Sequence, residues 1–259
     1  MFSKCLTTKH NSVILQNSMQ KIVTPYNTTE HKKAQVETMF NNIAPTYDRL
    51  NHILSLGVDV YWRNIAIKRL KKFNPQTILD IACGTGDFSF AALKANPETI
   101  IGIDISEEML EIGRKKILAK NLSGKMQFLK GDSENLQFQE NSFDAVTVAF
   151  GVRNFENLQA GLKEMCRVLK PGSPVVILEF SKPRKFPVKQ LFNLYFKTIC
   201  PLIGRLISKD KAAYKYLSKS VSTFPDGDDF LNELEMAGFK NTKSIRLTFG
   251  VCSLYTAEK

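Results

Sequence analysis

A glycine turn followed by an acid one strand later is the first feature of the sequence that could do chemistry. Gly84-Thr85-Gly86 follows a short apolar run and precedes a helical pattern, and Asp104 ends the next apolar run. Glycines let the backbone approach a ligand closely, and the N-terminus of the following helix offers unpaired N–H groups. An acid at this spacing can accept hydrogen bonds from both hydroxyls of a ribose. The pattern predicts a nucleotide-containing cofactor.

The acids around this turn favour a cationic cofactor. The dinucleotide fingerprint needs a third glycine where this chain has Ser89. Asp87 directly follows Gly86, where a pyrophosphate would lie, and Asp80 precedes the turn. Carboxylates repel a phosphate but tolerate a sulfonium with an amino-acid tail. This interpretation favours S-adenosyl-L-methionine over NAD, with Asp80, Gly84 and Gly86 among its binding residues.

Strands that alternate with helices position the turn. Helical spacing is clear over 36–43, 62–73 and 158–169, and Ser106 is a predicted helix N-cap. The predicted strands are 77–82, 99–105, 126–129, 145–150 and 175–180. Such alternation predicts an α/β fold with a parallel sheet covered on both faces. The runs 239–249 and 251–257 leave no room for a crossover helix, so they must pair antiparallel as a hairpin.

Composition and charge restrict the class of protein. The chain has 259 residues, of which 43% are hydrophobic, and no apolar run reaches the ~20 residues that span a bilayer. These values exclude a collagenous, a disordered and an integral-membrane protein. Thirty-six basic residues against 25 acids give a net charge of +11, which implies attraction to an anionic partner.

Cysteine and histidine usage argues against disulfides and metals. The five cysteines are scattered without a C-x-x-C pair, which is typical of a reducing compartment. The three histidines, His10, His31 and His52, lack metal-ligand spacing, so no metal site is predicted. Residues 1–22 are interpreted as a disordered or spurious N-terminal extension, with Met19 as an alternative start, and residues 23–259 as one domain.

Several ordered motifs carry a resemblance to a known family. The sequence resembles the menaquinone/ubiquinone-biosynthesis C-methyltransferase family over roughly residues 21–259. The matching stretches are FNNIAPTYD at 40–48, LNH at 50–52, ILDIACGTGD at 78–87, AFGVRNF at 149–155, RVLKPG at 167–172 and LEFSKP at 178–183. The resemblance implies a class I methyltransferase with a seven-stranded Rossmann-like sheet, a C-terminal antiparallel hairpin, a helical N-terminal cover and a helical insertion over about 181–225. One departure is Ala82, where many methyltransferases have glycine.

Carried over residue by residue, the resemblance implies a set of cofactor contacts. Thr85 would contact S-adenosyl-L-methionine at the glycine turn and Asp104 would hold its ribose. Asp132 and Ser133 would meet the adenine, and Asp132 could instead simply form an Asx turn. The implied reaction methylates a ring carbon of a polyprenyl quinol, with demethylmenaquinol expected first and a 2-methoxy-6-polyprenyl-benzoquinol as the alternative.

A strongly basic segment lies between the fifth predicted strand and the hairpin. Residues 181–225 contain ten lysines and arginines against the single acid Asp210, interleaved with aromatic residues. A solvated helix face, an RNA-binding surface and a contact with anionic lipid are all consistent with this pattern. Because a polyprenyl quinol resides in the bilayer, the resemblance selects the third. We expect a lid that contacts the membrane transiently and a cytoplasmic protein that visits the inner membrane face, without nucleic acid as partner.

Arg153 is the first catalytic candidate and Tyr47 the second. Removal of a quinol hydroxyl proton pushes charge onto the ring carbon, and a phenol pKa near ~10 means that the enzyme must assist ionisation. Arg153, just past the fourth predicted strand, could stabilise the phenolate or orient a water molecule; it could also form only a salt bridge there. Two rival hypotheses are an RNA methyltransferase and a non-enzymatic protein that binds the membrane surface.

Overall fold

Seven strands form one sheet in the part of the chain that the structure describes. The computed structural model describes residues 23–199, 202 and 210–259; the extension predicted at 1–22 lies outside these residues. The strands are β1 (Thr77–Ile81), β2 (Thr99–Asp104), β3 (Met126–Lys130), β4 (Ala145–Ala149), β5 (Pro174–Phe180), β6 (Lys240–Leu247) and β7 (Cys252–Glu258). The five strands predicted from apolar runs are therefore confirmed, with ends within about one residue.

The strand order is β3-β2-β1-β4-β5-β7-β6. β1 to β5 pair in parallel, whereas β7 pairs antiparallel with both β5 and β6. The predicted C-terminal hairpin is thus confirmed, and the structure adds that β7, not β6, joins β5. The order reverses direction between β1 and β4, and open α/β sheets bind ligands beyond the carboxyl ends of the strands at such a point.

Helices cover the sheet and its carboxyl edge. They are α1 (Lys32–Ile43), α2 (Tyr47–Ser55), α3 (Val58–Leu70), α4 (Asp87–Ala92), α5 (Glu107–Ala119), α6 (Leu158–Val168), α7 (Val188–Leu194), α8 (Lys211–Thr223) and α9 (Asp228–Met236) among the described residues. A π-helical turn, Tyr195–Ile199, continues α7. Ser106 caps α5 as predicted, because its side chain accepts a hydrogen bond from the Met109 N–H.

Side-chain alternation along the strands divides the core into two layers. In β1, Ile78 packs on one face while Leu79 and Ile81 pack on the other, and all three are fully buried. A third apolar cluster brings α1, α2, α5 and α8 together through Met39, Leu50, Met109, Tyr214 and Tyr216, among other residues. This cluster joins the N-terminal helices to the insertion, so both stand over the same edge of the sheet.

The described residues contain neither a helix that could span a membrane nor a cluster of metal-ligand side chains. None of their helices combines the length and the apolar character that crossing a bilayer requires. None of their His, Cys, Asp and Glu side chains form a group of three or more that could hold a metal ion.

Candidate active site

The glycine turn and Asp104 meet at the carboxyl ends of β1 and β2. The Gly84 N–H donates to Asp104 Oδ2 over 2.8 Å, and the Ser106 N–H donates to Asp104 Oδ1 over 2.9 Å. Two backbone donors therefore fix the carboxylate while its remaining lone pairs stay available. Desolvation raises the pKa of Asp104 above its ordinary value, although these backbone donors oppose the shift.

A narrow cavity lies over this turn, with about 60 Å³ of free space. Its walls include Gly84, Asp104, Asp132 and Ser133, so four predicted cofactor residues do come together. Side chains of the helical cover, Lys33, Val36, Phe40 and Tyr47, also line it. The helical N-terminal cover therefore forms part of the wall of this cavity.

The cavity is acidic. Its charged lining residues are the four acids Asp104, Asp132, Glu134 and Glu156 and the single base Lys33. Such an excess of carboxylates repels a pyrophosphate and suits a sulfonium and an ammonium group. This charge excess and the fixed Asp104 carboxylate fit S-adenosyl-L-methionine, for which Asp104 would accept from the ribose hydroxyls and Asp132 from the adenine amino group.

Asp132 has two partners of its own. Its Oδ1 accepts from the Glu134 N–H over 2.9 Å, which is the Asx turn considered from the sequence. Its Oδ2 accepts from Lys33 Nζ over 2.6 Å, and Lys33 also lies 3.4 Å from Glu134 Oε2. An adenine amino group would therefore share Oδ2 with this lysine or displace it.

Three residues expected to bind the cofactor do not line this cavity. Asp80 is fully buried within the sheet, where its carboxylate accepts hydrogen bonds from Ser89 and Thr147, and desolvation raises its pKa to about 6. The hydroxyl of Thr85 donates to Asp48 Oδ1 over 2.5 Å. A Cβ on Gly86 would lie 2.5 Å from the Phe128 ring, so this glycine makes room for a core side chain.

The electrostatic argument built on Asp87 was wrong in its geometry. Asp87 does not line the cavity, and its carboxylate lies 3.1 Å from Arg63 Nη2 and 3.3 Å from Lys116 Nζ. These two cations therefore compensate the charge of Asp87, which weakens its effect on any ligand in the cavity. The preference for a cationic cofactor comes instead from the acids that line the cavity, which the pattern around the turn did not reveal.

Ala82 is accommodated by a glycine from the neighbouring strand. Its φ of +53° lies in the left-handed region that favours glycine. A Cβ built on Gly151 would lie only 2.6 Å from the Ala82 Cβ. Both residues line the cavity, so the methyl group of Ala82 fills space that Gly151 leaves open.

A second, larger cavity adjoins the first. It has a volume of about 520 Å³ and lies between α1, α2, α3, the insertion and the ends of β4 and β5. Most of its lining side chains are apolar or aromatic, including Trp62, Phe180 and Phe196. Phe40, Tyr47, Phe150 and Asn154 line both cavities. A ligand in the apolar cavity would therefore lie directly against one in the acidic cavity.

Arg153 lines the larger cavity and is paired with a buried acid. Its Nη1 lies 2.8 Å from Glu179 Oε1, with the arginine side chain 8% exposed and the glutamate side chain 0%. The guanidinium also lies 5.5 Å from the centre of the Phe180 ring, and its buried Nε has no hydrogen-bond partner among the described residues. The salt bridge considered from the sequence is therefore present.

Tyr47 stands at the junction of the two cavities. Desolvation raises the pKa of its phenol above the ordinary value of 10, while a hydrogen bond with Asn51 and the charge of Arg153 oppose the shift. The phenol is thus neutral at physiological pH and can donate a hydrogen bond, but it is a poor base. Sequence analysis placed Tyr47 at this site by resemblance alone.

Three lining residues escaped the sequence analysis. Asn154 directly follows Arg153 and was read only as part of a motif, although its side chain reaches both cavities. Tyr216 is one of the aromatic residues of the basic segment, and Trp62 begins the helical pattern at 62–73, so neither pattern marks them as residues of a site. The one available signal for Tyr216 is that it follows Ala213 by three positions, a helical spacing that places the two on one face.

This strand order, with one antiparallel strand and an acidic ribose-type site beyond β1 and β2, defines a class I S-adenosylmethionine-dependent methyltransferase. A solved methyltransferase from Thermotoga maritima, described as a possible histamine N-methyltransferase, agrees in fold with a TM-score of 0.57 at 19% identity. The match covers 86% of this chain and 99% of that one.

The family follows from sequence comparison. The model of the ubiE/COQ5 methyltransferase family matches residues 28–259, and the chain belongs to that family. A demethylmenaquinone methyltransferase from Bacteroides fragilis is 50% identical over 94% of this chain and all of its own length. A ubiquinone/menaquinone biosynthesis C-methyltransferase from Geotalea daltonii is 45% identical over 88% of this chain and 97% of its own. The resemblance seen in the sequence is confirmed.

Proposed function

We propose that the protein transfers a methyl group from S-adenosyl-L-methionine to a ring carbon of a polyprenyl quinol, with demethylmenaquinol as the first substrate. The observation that carries this proposal is the pair of adjoining cavities, one acidic and one apolar, that share Phe40, Tyr47, Phe150 and Asn154. The names of the Bacteroides and Geotalea relatives support the quinol as substrate and menaquinone biosynthesis as context. Neither RNA methylation nor a purely binding role is favoured by these relatives.

The residues of the acidic cavity bind and orient the cofactor in this proposal. Asp104 holds the ribose, Asp132 and Ser133 meet the adenine, and the backbone at Gly84 approaches the amino-acid portion. Three further residues support the shape of the turn without lining the cavity. Asp80 accepts from Ser89 and Thr147, and Thr85 donates to Asp48. Gly86 leaves space for the Phe128 ring. S-adenosyl-L-methionine, when bound, supplies the electrophilic methyl group.

The residues of the apolar cavity prepare the quinol. Arg153 stabilises the negative charge that develops on a ring oxygen as its proton passes to solvent, and this charge makes the adjacent carbon nucleophilic. After methyl transfer that carbon loses its hydrogen as a proton and the ring oxygen regains one, so each transfer releases one proton. Tyr47 donates a hydrogen bond at the junction and helps to align that carbon with the methyl group. The aromatic walls exclude water and hold the ring in line, which lowers the barrier further.

The mouth of the apolar cavity supports contact with a membrane. Five exposed apolar side chains, which we call the apolar rim, belong to the segments that line it: Leu56, Leu191, Leu194, Ile199 and Phe249. Leu56 and Phe249 are 88% and 83% exposed, and each lies between residues that line the cavity. Both have a left-handed backbone, with φ of 52° and 56°, and Leu56 does so where it ends α2.

Charge on the same elements suits an anionic lipid surface. Lys185 and Lys189 are exposed beside Leu191, and Lys197 is exposed in the π-helical turn. We propose that the apolar rim inserts into the cytoplasmic face of the membrane while these lysines contact lipid headgroups, each contributing about 1 kcal/mol. The quinol head would then enter the cavity while its prenyl tail stays in the bilayer. In this proposal, residues 23–259 act as one catalytic domain whose insertion, 181–225, is the lid.

Methyl transfer from labelled S-adenosyl-L-methionine tests the reaction. The acceptors are reduced, detergent-dispersed demethylmenaquinol, the benzoquinol analogue and total RNA, assayed side by side. Label in the naphthoquinol is expected, and label in the benzoquinol alone would assign the enzyme to ubiquinone synthesis. Label only in RNA, or cofactor binding without any transfer, would refute the proposal.

Vesicle binding tests the membrane contact separately. The double variant Leu56→Ser/Phe249→Ser should co-sediment more weakly with vesicles that contain anionic lipid and should show a higher KM for a long-tailed quinol. Its KM for a short-tailed, water-soluble quinol should stay unchanged, because the cavity is intact. Leu118→Ser/Met236→Ser is a matched control, since these side chains are 66% and 63% exposed outside the apolar rim. Equal loss of vesicle binding in both double variants would contradict the assignment.

A further inference from the structure

Buried polar atoms without a partner gather at one place among the described residues. Only three side-chain atoms there are both buried and without a hydrogen bond: Arg153 Nε, Asn154 Oδ1 and the Tyr216 hydroxyl. All three residues line the apolar cavity. An unsatisfied polar group is unfavourable in a folded protein, so such a cluster in a cavity wall points to a ligand with polar atoms of its own.

Tyr216 is the member of this cluster to which the proposed reaction has given no role. It lies on α8, which contacts the turn Val152–Asn154 that carries Arg153, and it is only 3% exposed. Its phenol pKa is raised well above the ordinary value, chiefly by desolvation, and the nearby charge of Arg153 is too weak to reverse this. The group is therefore a neutral hydrogen-bond donor and cannot serve as a base.

A quinol has oxygen atoms that could accept a hydrogen bond from the Tyr216 hydroxyl. It carries two hydroxyl oxygens on opposite sides of its ring, and only the one next to the methylated carbon needs to ionise. A flat aromatic ring in an apolar cavity can turn over or rotate unless a directional contact holds it. We propose that the Tyr216 hydroxyl donates a hydrogen bond to a ring oxygen of the bound quinol and thereby determines which ring carbon faces the acidic cavity. This inference rests on the proposed function and makes Tyr216 a positioning residue.

The variant Tyr216→Phe tests the inference through binding. Trp62, the single tryptophan of the chain, lies in the wall of the same cavity, so quenching of its fluorescence by the naphthoquinone ligand or its quinol reports binding without turnover. Tyr216→Phe should raise the Kd of the quinol about tenfold, as expected for one lost hydrogen bond, and should leave the Kd of S-adenosyl-L-methionine unchanged.

Thermal unfolding separates this role from a structural one. Because the Tyr216 hydroxyl has no hydrogen-bond partner among the described residues, Tyr216→Phe should not lower Tm. Tyr195→Phe is the matched contrast, since Tyr195 lines the same cavity but donates to the Leu54 carbonyl over 2.7 Å, and its loss should lower Tm. A Tyr216→Phe variant that loses stability but binds quinol normally would overturn the inference.

Two quinol analogues, each without one ring hydroxyl, complete the test. The wild-type enzyme should bind one of them about tenfold more weakly than the parent, and Tyr216→Phe should not weaken that analogue further. If wild type binds both analogues as tightly as the parent, the inference is wrong, whatever the variant does. If the wild-type protein methylates no quinol at all, the proposed function is wrong. If the wild-type protein methylates the quinol and Tyr216→Phe binds it equally well, only the role of Tyr216 is wrong.

Discussion

Replacing Arg153 by alanine should weaken both the fold and the reaction, and the structure shows how to separate the two. The arginine lies 2.8 Å from Glu179, and the carboxylate is fully buried. Arg153→Ala leaves this acid without its cation, a change that typically costs about 3–5 kcal/mol of unfolding free energy. The simple variant therefore confounds stability with catalysis.

The loss of stability should depend on pH, with a definite sign. Desolvation already raises the pKa of Glu179 above its ordinary 4.5, and Arg153 opposes that shift. Without Arg153 the pKa of the folded state rises further, so between 4.5 and that raised value the folded protein binds more protons than the unfolded chain. Stability then falls as pH rises through this window. The variant should thus be closest to wild type in acid and furthest from it above the raised pKa.

Turnover should fall for a different reason. Loss of a preorganised group that stabilises charge in the transition state typically lowers kcat by about 10²–10³-fold. Since Arg153 lines the quinol cavity and not the acidic one, the Kd of S-adenosyl-L-methionine should change little. Urea unfolding at several pH values, cofactor titration and single-turnover methyl transfer measure the three quantities.

A double variant decides whether Arg153 acts in catalysis. Arg153→Met/Glu179→Gln removes both charges and keeps similar side-chain volumes, so most of the stability should return. Turnover should nevertheless remain as low as in Arg153→Ala. If turnover returns with stability, the arginine serves only the fold; if cofactor affinity and turnover fall equally in Arg153→Ala, the reasoning about the phenolate is also refuted.

Three further predictions follow from individual contacts. Gly151→Ala would place a Cβ 2.6 Å from the Ala82 methyl, so Tm should fall by an amount equivalent to about 1–3 kcal/mol, and Ala82→Gly should restore most of it in the double variant. Asp104→Asn should weaken S-adenosyl-L-methionine binding about 10- to 100-fold in calorimetry and should also lower Tm, because an amide nitrogen cannot accept from the Gly84 or the Ser106 N–H group as the carboxylate does. In wild type the same affinity should decline on acidification at a higher pH than an ordinary aspartate would give, because the pKa of Asp104 is raised. Asp210→Ala should cost at least about 1–2 kcal/mol in urea unfolding, since Asp210 caps α8 by accepting from the Ala212 and Ala213 N–H groups and also accepts from the Tyr26 hydroxyl and the Asn42 amide.

Much of the fold could be predicted from local patterns in the sequence. Burial on both faces produces continuous apolar runs, so β1 to β5 were located within about one residue. The short connection at Gly250 excluded a crossover helix and so required an antiparallel hairpin. The spacing in the sequence was enough to predict that Asp104 lies beside the glycine turn, because neighbouring parallel strands end at the same edge of the sheet.

The direction of individual side chains could not be predicted in this way. Three aspartates lie near the same turn in the sequence, yet their surroundings differ. Asp80 is buried inside the sheet, and Asp87 is paired with Arg63 and Lys116. Asp104 lines the cavity. The residue type gives each side chain its charge, but the neighbouring residues in the folded protein decide whether that charge can act on a ligand.

Sequence therefore determined the class of fold, the cofactor turn and the family. Only the tertiary structure decided that the aromatic residues of the basic segment divide between a cavity wall, as Tyr216 does, and an exposed surface, as Phe186 does. It also paired Arg153 with Glu179, 26 positions along the chain, and joined an acidic to an apolar cavity at Tyr47 and Phe150. The physical reason is that strands and turns arise from interactions between near neighbours, whereas cavities and buried ion pairs form only where elements distant in sequence pack together.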